Sequence, residues 1–509
     1  MVDSVLEKKT ISVSRMKLYE RYALEIATLI KAQTLRPGER LPSVRQASSH
    51  RQISPATVFA AYYLLEDQGL ICARARSGYY VLPQARPLQA EPGTAPPGAQ
   101  STPVEISELV FAVLESTRRT DVVPLGSAFP SPSLFPLDKL ARCLTPAMRQ
   151  LAPERLVEDL TQGNERLRRQ ISLRYAANGT ALEPEEVVIT HGALEALNLC
   201  LQAVTEPGDV VAVESPTFYS ALQALERLKL RAVEVATHPR DGIDLASLAA
   251  VLQAHPVKAC WFMPNFQNPL GSLMPEASKQ AMVDLLASHQ VPLIEDDVYG
   301  ELYFGLHRPP PAKTYDRAGL VLHCSSFSKC LAPGYRVGWV AAGRFAVQVQ
   351  RLKLMTTLAT AIPSQLAISV YLQGGGYERH LRQLRLSLVA QQALALRLIA
   401  RHFPAGTRVT RPQGGYFLWL ELPPQVDALQ LLRLALAQDI SIAPGHLFSA
   451  DHRFGHCLRL NYGQQADTRF KDALQSVGQL ACALSVLVPM AVPLIEDALA
   501  EPTKRRQRG

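Results

Sequence analysis

Apolar positions along the chain follow two different rhythms. From about residue 15 to 82 they recur at helical spacing. Tyr22 to Thr34 reads as an amphipathic helix with Ile26, Leu29 and Ile30 on one side. Pro37-Gly38 predicts a turn, and Ser43 is placed to cap a second helix from about Val44. Ser54 would cap a third helix that Gly69 ends, and Leu70–Val81 reads as two short strands around Arg74, Arg76, Ser77 and Gly78. From about 121 to 480 short β-branched runs alternate with amphipathic stretches. The runs are EEVVIT (185–190), DVVAVE (209–214), KACWFMP (258–264), VPLIEDD (291–297) and GLVLHCSSFS (319–328). That alternation predicts an α/β domain with a mostly parallel sheet. Between the two blocks, residues 83–120 contain QARPLQAEPGTAPPGAQSTP, whose composition predicts a semi-extended linker without a core of its own. Residues 481–509 read as a C-terminal extension ending in the basic tail KRRQR. The run Leu480–Ile495 is apolar but short for a bilayer and holds Pro489 and Pro493, so it predicts a packed helix or loop. No internal repeat is visible.

Composition sharpens this division. The chain has 509 residues, 47% hydrophobic and 19% charged, as expected of globular domains rather than a disordered chain. Of the net charge of +8, residues 1–85 contribute +5 (twelve Lys/Arg against seven Asp/Glu), leaving +3 for the other 424. A basic head on a nearly neutral body suggests a polyanion partner for the head. The eight cysteines show neither a CxxC pair nor the His/Cys spacing of a zinc site, so no metal is expected. They read as reduced thiols of a cytoplasmic protein, and Glu7, Lys8 and Lys9 interrupt any apolar leader.

The densest candidate chemistry is HCSSFSKCLAPGYRVGW, residues 323–339. Lys329 is an amine able to form a Schiff base, with Ser326, Ser328 and Arg336 nearby as phosphate donors. Other segments add to it. In THGALEALNL (190–199) a helix opens at Gly192, Ala193 and Leu194, and free amides at a helix N-terminus hold phosphate. ESPTFYS (214–220) sets Phe218 after a strand, where an aromatic ring can stack on a ligand. MPNFQNPLGSL (263–273) carries Asn268. LIEDDVYGEL (293–302) ends a strand on Asp296 and Asp297, and a carboxylate buried there needs a partner. CLRLNYG (457–463) places Arg459 inside an apolar strand, where a guanidinium suits a carboxylate.

The string LRPGERLPSVRQ…SPATVFAAYYLLEDQGLICARARSGYYV resembles the GntR-type winged helix-turn-helix family over its whole length. The resemblance implies double-stranded DNA as partner, with Arg45, Ser54, Thr57, Arg76 and Gly78 as contacts. Positions 55 and 59, often Arg in that family, are Pro55 and Phe59 here.

The six body motifs, in their order, resemble the fold-type I aminotransferases of class I/II. That implies pyridoxal 5'-phosphate held as an internal aldimine on Lys329, with the amides of Gly192, Ala193 and Leu194 and Ser326, Ser328 and Arg336 around its phosphate. Phe218 would stack on its ring, and Asn268 and Tyr299 would meet its phenolic oxygen. Asp296 would pair with the ring nitrogen, with Asp297 as the competing candidate, and Arg459 would receive an amino acid's carboxylate. The segment 156–171 lacks the tyrosine with which many relatives reach the partner subunit's phosphate. Head, linker and body together resemble the MocR subfamily of bacterial regulators. By that resemblance the chain is expected to be a head-to-tail homodimer, away from membranes, that regulates transcription under the control of pyridoxal phosphate and a small amino compound. An active aminotransferase is the alternative expectation.

Overall fold

A computed structural model describes residues 17–31, 34–36, 38–67, 70–74, 78–81, 89–98, 100–116, 121–149, 151, 161–451 and 453–486. The chain divides into two compact units, a head up to Gln89, to which residues 393–402 are assigned, and a body of residues 90–392 and 403 onward.

The head consists of helices α1 (Leu18–Lys31), α2 (Val44–Arg51) and α3 (Pro55–Asp67), followed by an antiparallel pair, β1 (Ile71–Arg74) and β2 (Gly78–Val81). Helix α1 starts four residues before the expected Tyr22, and its buried stripe is Tyr22, Ala23, Ile26, Ala27 and Ile30, with Leu29 outside it. The start of α2 is a capping box. Ser43 Oγ accepts from the Gln46 N–H, and Gln46 Oε1 accepts from the Ser43 N–H. Gln52 takes a left-handed conformation (φ 50°), which turns the chain out of α2 toward α3. There Ser54 Oγ accepts from the Thr57 N–H at 3.1 Å. The core gathers Ile26, Leu41, Val58, Tyr62, Leu65, Ile71 and Val81, and the hydroxyl of buried Tyr62 donates to the Pro42 carbonyl at 2.8 Å.

In the body, nine strands form one sheet among the described residues: β3 (Thr102–Pro103), β4 (Val187–Thr190), β5 (Val210–Ser215), β6 (Arg231–His238), β7 (Gly242–Ile243), β8 (Val257–Phe262), β9 (Leu293–Asp296), β10 (Val321–Ser326) and β11 (Gly338–Ala341). Their order is β3-β6-β5-β8-β9-β10-β11-β4, with β7 on β6. The run from β6 to β10 is parallel, and β11 lies antiparallel between β10 and β4. Strands such as VVIT and VLHCSS are buried at every position, which explains continuous apolar runs rather than alternation. A smaller antiparallel sheet follows, from β12 (Arg408–Val409), β13 (Phe417–Glu421), β14 (Ala443–Pro444) and β15 (Cys457–Asn461), in the order β12-β13-β15-β14.

One expectation needs correction. Of the anticipated linker, the described residues from Ala90 onward belong to the body. The Ala90 carbonyl accepts from the Val409 N–H, and β3 pairs with β6. Helix α4 (Ser107–Ser116) buries Leu109, Val110 and Val113, and its first turn is held by Glu226 Oε2, which accepts from the N–H groups of Ile106 and Ser107. The apolar period 106, 109, 110, 113 outweighs the proline-rich composition just upstream. At the other end, helix α5 (Thr468–Val486) buries Ala481 and Leu484, and the rest of the apolar run lies outside the described residues. Among the described residues, no helix is long and apolar enough to cross a membrane.

Leu65→Ala removes a fully buried side chain from a core of only three helices. It is expected to destabilise the head by about 2–5 kcal/mol, read as faster amide exchange across residues 18–81 with no change across β8 to β10.

Candidate functional site

The carboxyl ends of the parallel strands are where an α/β sheet presents ligand-binding groups. Here they border one cavity of about 180 Å³. Its wall includes Ala193 and Leu194 after β4, Phe218 after β5, Asp296 at the end of β9, Tyr299 beyond it, and Ser326, Ser328, Lys329 and Arg336 after β10. Asn268 and Arg459 are fully buried and bonded to one another, with Arg459 Nη1 donating to Asn268 Oδ1 at 2.9 Å.

Lys329 Nζ donates to the Ala128 carbonyl at 2.9 Å and sits 3.7 Å from the centre of the Phe129 ring. Burial, then the Arg459 guanidinium, bring its amine down to about 7, with Asp296 pulling the other way. Burial pushes the Asp296 carboxyl up to about 7, against the pull of Lys329. Asp296 Oδ1 has no hydrogen-bond partner. The neighbouring Asp297 is engaged elsewhere: Oδ2 takes Arg308 at 2.6 Å and Oδ1 takes Asn265 Nδ2 at 2.9 Å. Of the two adjacent aspartates, therefore, Asp296 is the one that faces the cavity. Tyr299 is buried edge-on against Tyr416 and Phe417, and burial raises its hydroxyl well above the usual range.

Arg336 has a left-handed backbone (φ 52°) and reaches back over the start of the helix Ala193–Val204, its Nη1 donating to Ser328 Oγ and its Nη2 to the His191 carbonyl. Gly192 has φ +80°, and a Cβ there would collide with the Arg336 guanidinium, so that close approach requires glycine. Arg459 also donates from Nη2 to the Gly126 carbonyl at 2.7 Å, lies over Phe417, and leaves Nε unpartnered. No carboxylate pairs with it among the described residues, and its burial lowers its affinity for its proton.

Sequence reasoning missed the segment 126–129. Its four consecutive carbonyls accept from Arg459, Asn461, Lys329 and again Asn461, and the third also accepts from the Tyr416 hydroxyl. GSAF carries no signal of its own, and only the fold brings it to the lysine. Also missed was Tyr219, which lines the cavity. Glu214 was missed as well: its carboxyl is pushed up to about 8 by burial, and Oε1 has no partner.

The residues present fit pyridoxal 5'-phosphate. Asp296 Oδ1 and Asn268 Nδ2 are buried and unpartnered, an acceptor and a donor awaiting a polar ligand. The helix N-terminus, two buried serines and an arginine form the donor set that a phosphate needs.

In the head, Arg45 is exposed on α2, and Ser54 and Thr57 form the first turn of α3 with their hydroxyls 2.8 Å apart. Gly78 opens β2 at φ +104°, beneath the Arg40 side chain. Arg76 lies outside the described residues, as do residues 156–160 of the 156–171 segment.

The model of the bacterial regulatory proteins of the gntR family matches residues 18–81, and that of aminotransferase class I and II matches residues 149–476. The chain is 48% identical over 465 residues to the uncharacterised HTH-type transcriptional regulator YdcR of Escherichia coli, covering 91% of this chain and 99% of the other. It is 31% identical to the 2-aminoadipate transaminase of Thermus thermophilus, over 74% of this chain and 94% of that one. Among solved structures, the kynurenine aminotransferase of Pyrococcus horikoshii superposes with a TM-score of 0.69 at 27% identity, covering 73% of this chain and 94% of that one. With a GntR helix-turn-helix head fused to a class I/II aminotransferase body of the pyridoxal-phosphate-dependent fold, this chain belongs to the MocR subfamily of GntR-type transcriptional regulators.

Proposed function

We propose that this regulator binds promoter DNA under the control of pyridoxal 5'-phosphate joined covalently to Lys329, with an amino compound as effector. The observation that carries this reading is the pair Lys329 and Asp296. The amine is depressed to about 7, and it shares one cavity with a carboxyl whose second oxygen is unbonded. When bound, the cofactor supplies an aldehyde for the amine and a ring that withdraws electrons. The chain's own groups do the rest. Asp296 would hold the ring nitrogen, and Phe218 would cover a ring face. Asn268 Nδ2 and Tyr299 would donate to the phenolic oxygen. The amides at 192–194, with Ser326, Ser328 and Arg336, would bind phosphate. Arg45, Ser54, Thr57, Arg76 and Gly78 are the proposed DNA contacts, and the assembly is proposed as a homodimer. Effector control requires that the ligand favour one arrangement of two heads over another.

A second reading, an active transaminase, is favoured by Arg459, a buried guanidinium without a carboxylate partner beside the lysine that would move the proton. Sustained amino transfer that disappears in Lys329→Ala would support it.

The leading reading is tested by titrating the promoter of the protein's own gene, at fixed salt, with cofactor-free and cofactor-loaded protein. Binding is expected to differ between the two forms, and Lys329→Ala is expected to behave as cofactor-free. Equal binding by all three would refute cofactor control.

The depressed amine makes a pH prediction. Attachment needs the neutral amine, present above pH about 7. The rate of cofactor uptake, followed by absorbance, should rise to about pH 7 and then level off, whereas an ordinary lysine would keep accelerating to about 10.4.

Arg459→Ala should weaken amino acid effectors at least about tenfold, from the roughly 1.5–3 kcal/mol of a charged hydrogen bond. Amines without a carboxylate should be unaffected, as measured by titration of the cofactor absorbance.

A further inference from the structure

Helix α3 presents an outward face without a cation. Its exposed positions are Pro55, Ala56, Phe59 and Tyr63, one stripe at helical spacing, with Phe59 55% and Tyr63 59% exposed. The opposite face, with Val58, Ala61, Tyr62 and Leu65, fills the head core. The stripe is therefore surplus to the head's own packing. The helix PATVFAAYYLLED contains no Lys or Arg, and its charges are Glu66 and Asp67. The hydroxyls of Ser54 and Thr57 already bond to each other, and Ser54 Oγ also accepts the Thr57 N–H. Exposed cations of the head lie outside this helix: Arg36, Arg40 and Arg45.

This distribution separates two tasks. Those arginines suit phosphates, which carry no sequence information. The helix itself lacks the Arg or Lys that holds guanine O6 and N7 bidentately. The major groove offers one apolar mark, the C5 methyl of thymine, and alanine and phenylalanine side chains are suited to it.

We propose that Ala56, Phe59 and Tyr63 read thymine methyl groups in the major groove, so that the operator is chosen by apolar contact. The proposal rests on the DNA-binding reading above and names the chemistry of its specificity.

The test uses full-length, cofactor-loaded protein. Duplexes are selected from a random pool at fixed salt, and the tightest is remade with deoxyuridine for thymine, one position at a time. Each change deletes one methyl and leaves every hydrogen-bonding group intact. Affinity is expected to fall about fourfold per buried methyl at one or more positions. Phe59→Ala should abolish that discrimination with an unchanged salt slope, because the phosphate contacts remain, and Phe59→Leu should retain it in part. Phe59 is exposed, so the head's thermal unfolding should be unchanged in both variants. Equal affinity for thymine and uracil at every position overturns the proposal, as does full discrimination surviving in Phe59→Ala. It is also overturned if the selected duplex is indifferent to uracil while Phe59→Ala alters the sedimentation of DNA-free protein, which would mark the stripe as a protein contact. If no duplex is enriched, the DNA-binding reading falls with it, whereas enrichment without a methyl effect sinks this inference alone.

Discussion

An ionisable group taken out of water needs a partner, and several buried charges of the body have one. Glu295 accepts from His323 Nδ1 at 2.7 Å and from the N–H groups of Ala312 and Lys313. Asp297 has Arg308 and Asn265. Lys279 donates to Asn265 and to the Pro310 carbonyl. A few residues away, Asp296 keeps a bare oxygen, Asn268 a bare amide nitrogen and Arg459 a guanidinium with no anion. Leaving such groups unpaired costs about 1–3 kcal/mol each, more when charged. Unfilled valences gathered on Asp296, Asn268 and Arg459 mark where a polar ligand would bind.

The sheet order explains how distant segments reach that spot. β9 lies between β8 and β10, so Asp296 emerges from the sheet interior flanked by the strand leading to Met263 and the strand leading to Lys329. β11 returns antiparallel and lies beside β4, which brings Arg336 over Gly192 across 144 residues of sequence. The smaller sheet contributes from the other side: β13 and β15 pair Trp419 with Arg459 and Phe417 with Asn461, so the guanidinium and the rings that brace Tyr299 come from one rigid ladder.

Much of this was legible because the chemistry is local. Strand-ending motifs name Asp296 and Lys329, a strand-to-helix turn names Gly192 to Leu194, and apolar flanks make Arg459 conspicuous. Spacing to Tyr299 favours Asp296 but leaves Asp297 in competition, since Arg308, which engages Asp297, lies eleven residues on in a stretch with no regular signal. Residues 126–129 were invisible for a different reason. They act through backbone carbonyls, and any sequence supplies those. Residues from Ala90 join the body despite the proline-rich composition, because the body buries the apolar period 106, 109, 110 and 113.

Those backbone carbonyls bear on how occupancy would be felt. Lys329 Nζ and Arg459 Nη2 now spend donors on Ala128 and Gly126. A lysine bonded to an aldehyde, or an arginine turned to a carboxylate, has fewer donors for that segment, while Asn461 and Tyr416 keep theirs. Filling the site would thus change the bonding of the chain at Gly126 and Ala128 as well as the cavity itself. A regulator needs a differential of this kind, because a ligand shifts an equilibrium only by what it binds differently in two states. An enzyme needs only the cavity. The two readings would therefore part at residues 126–129, whose backbone carbonyls accept from Lys329 and Arg459.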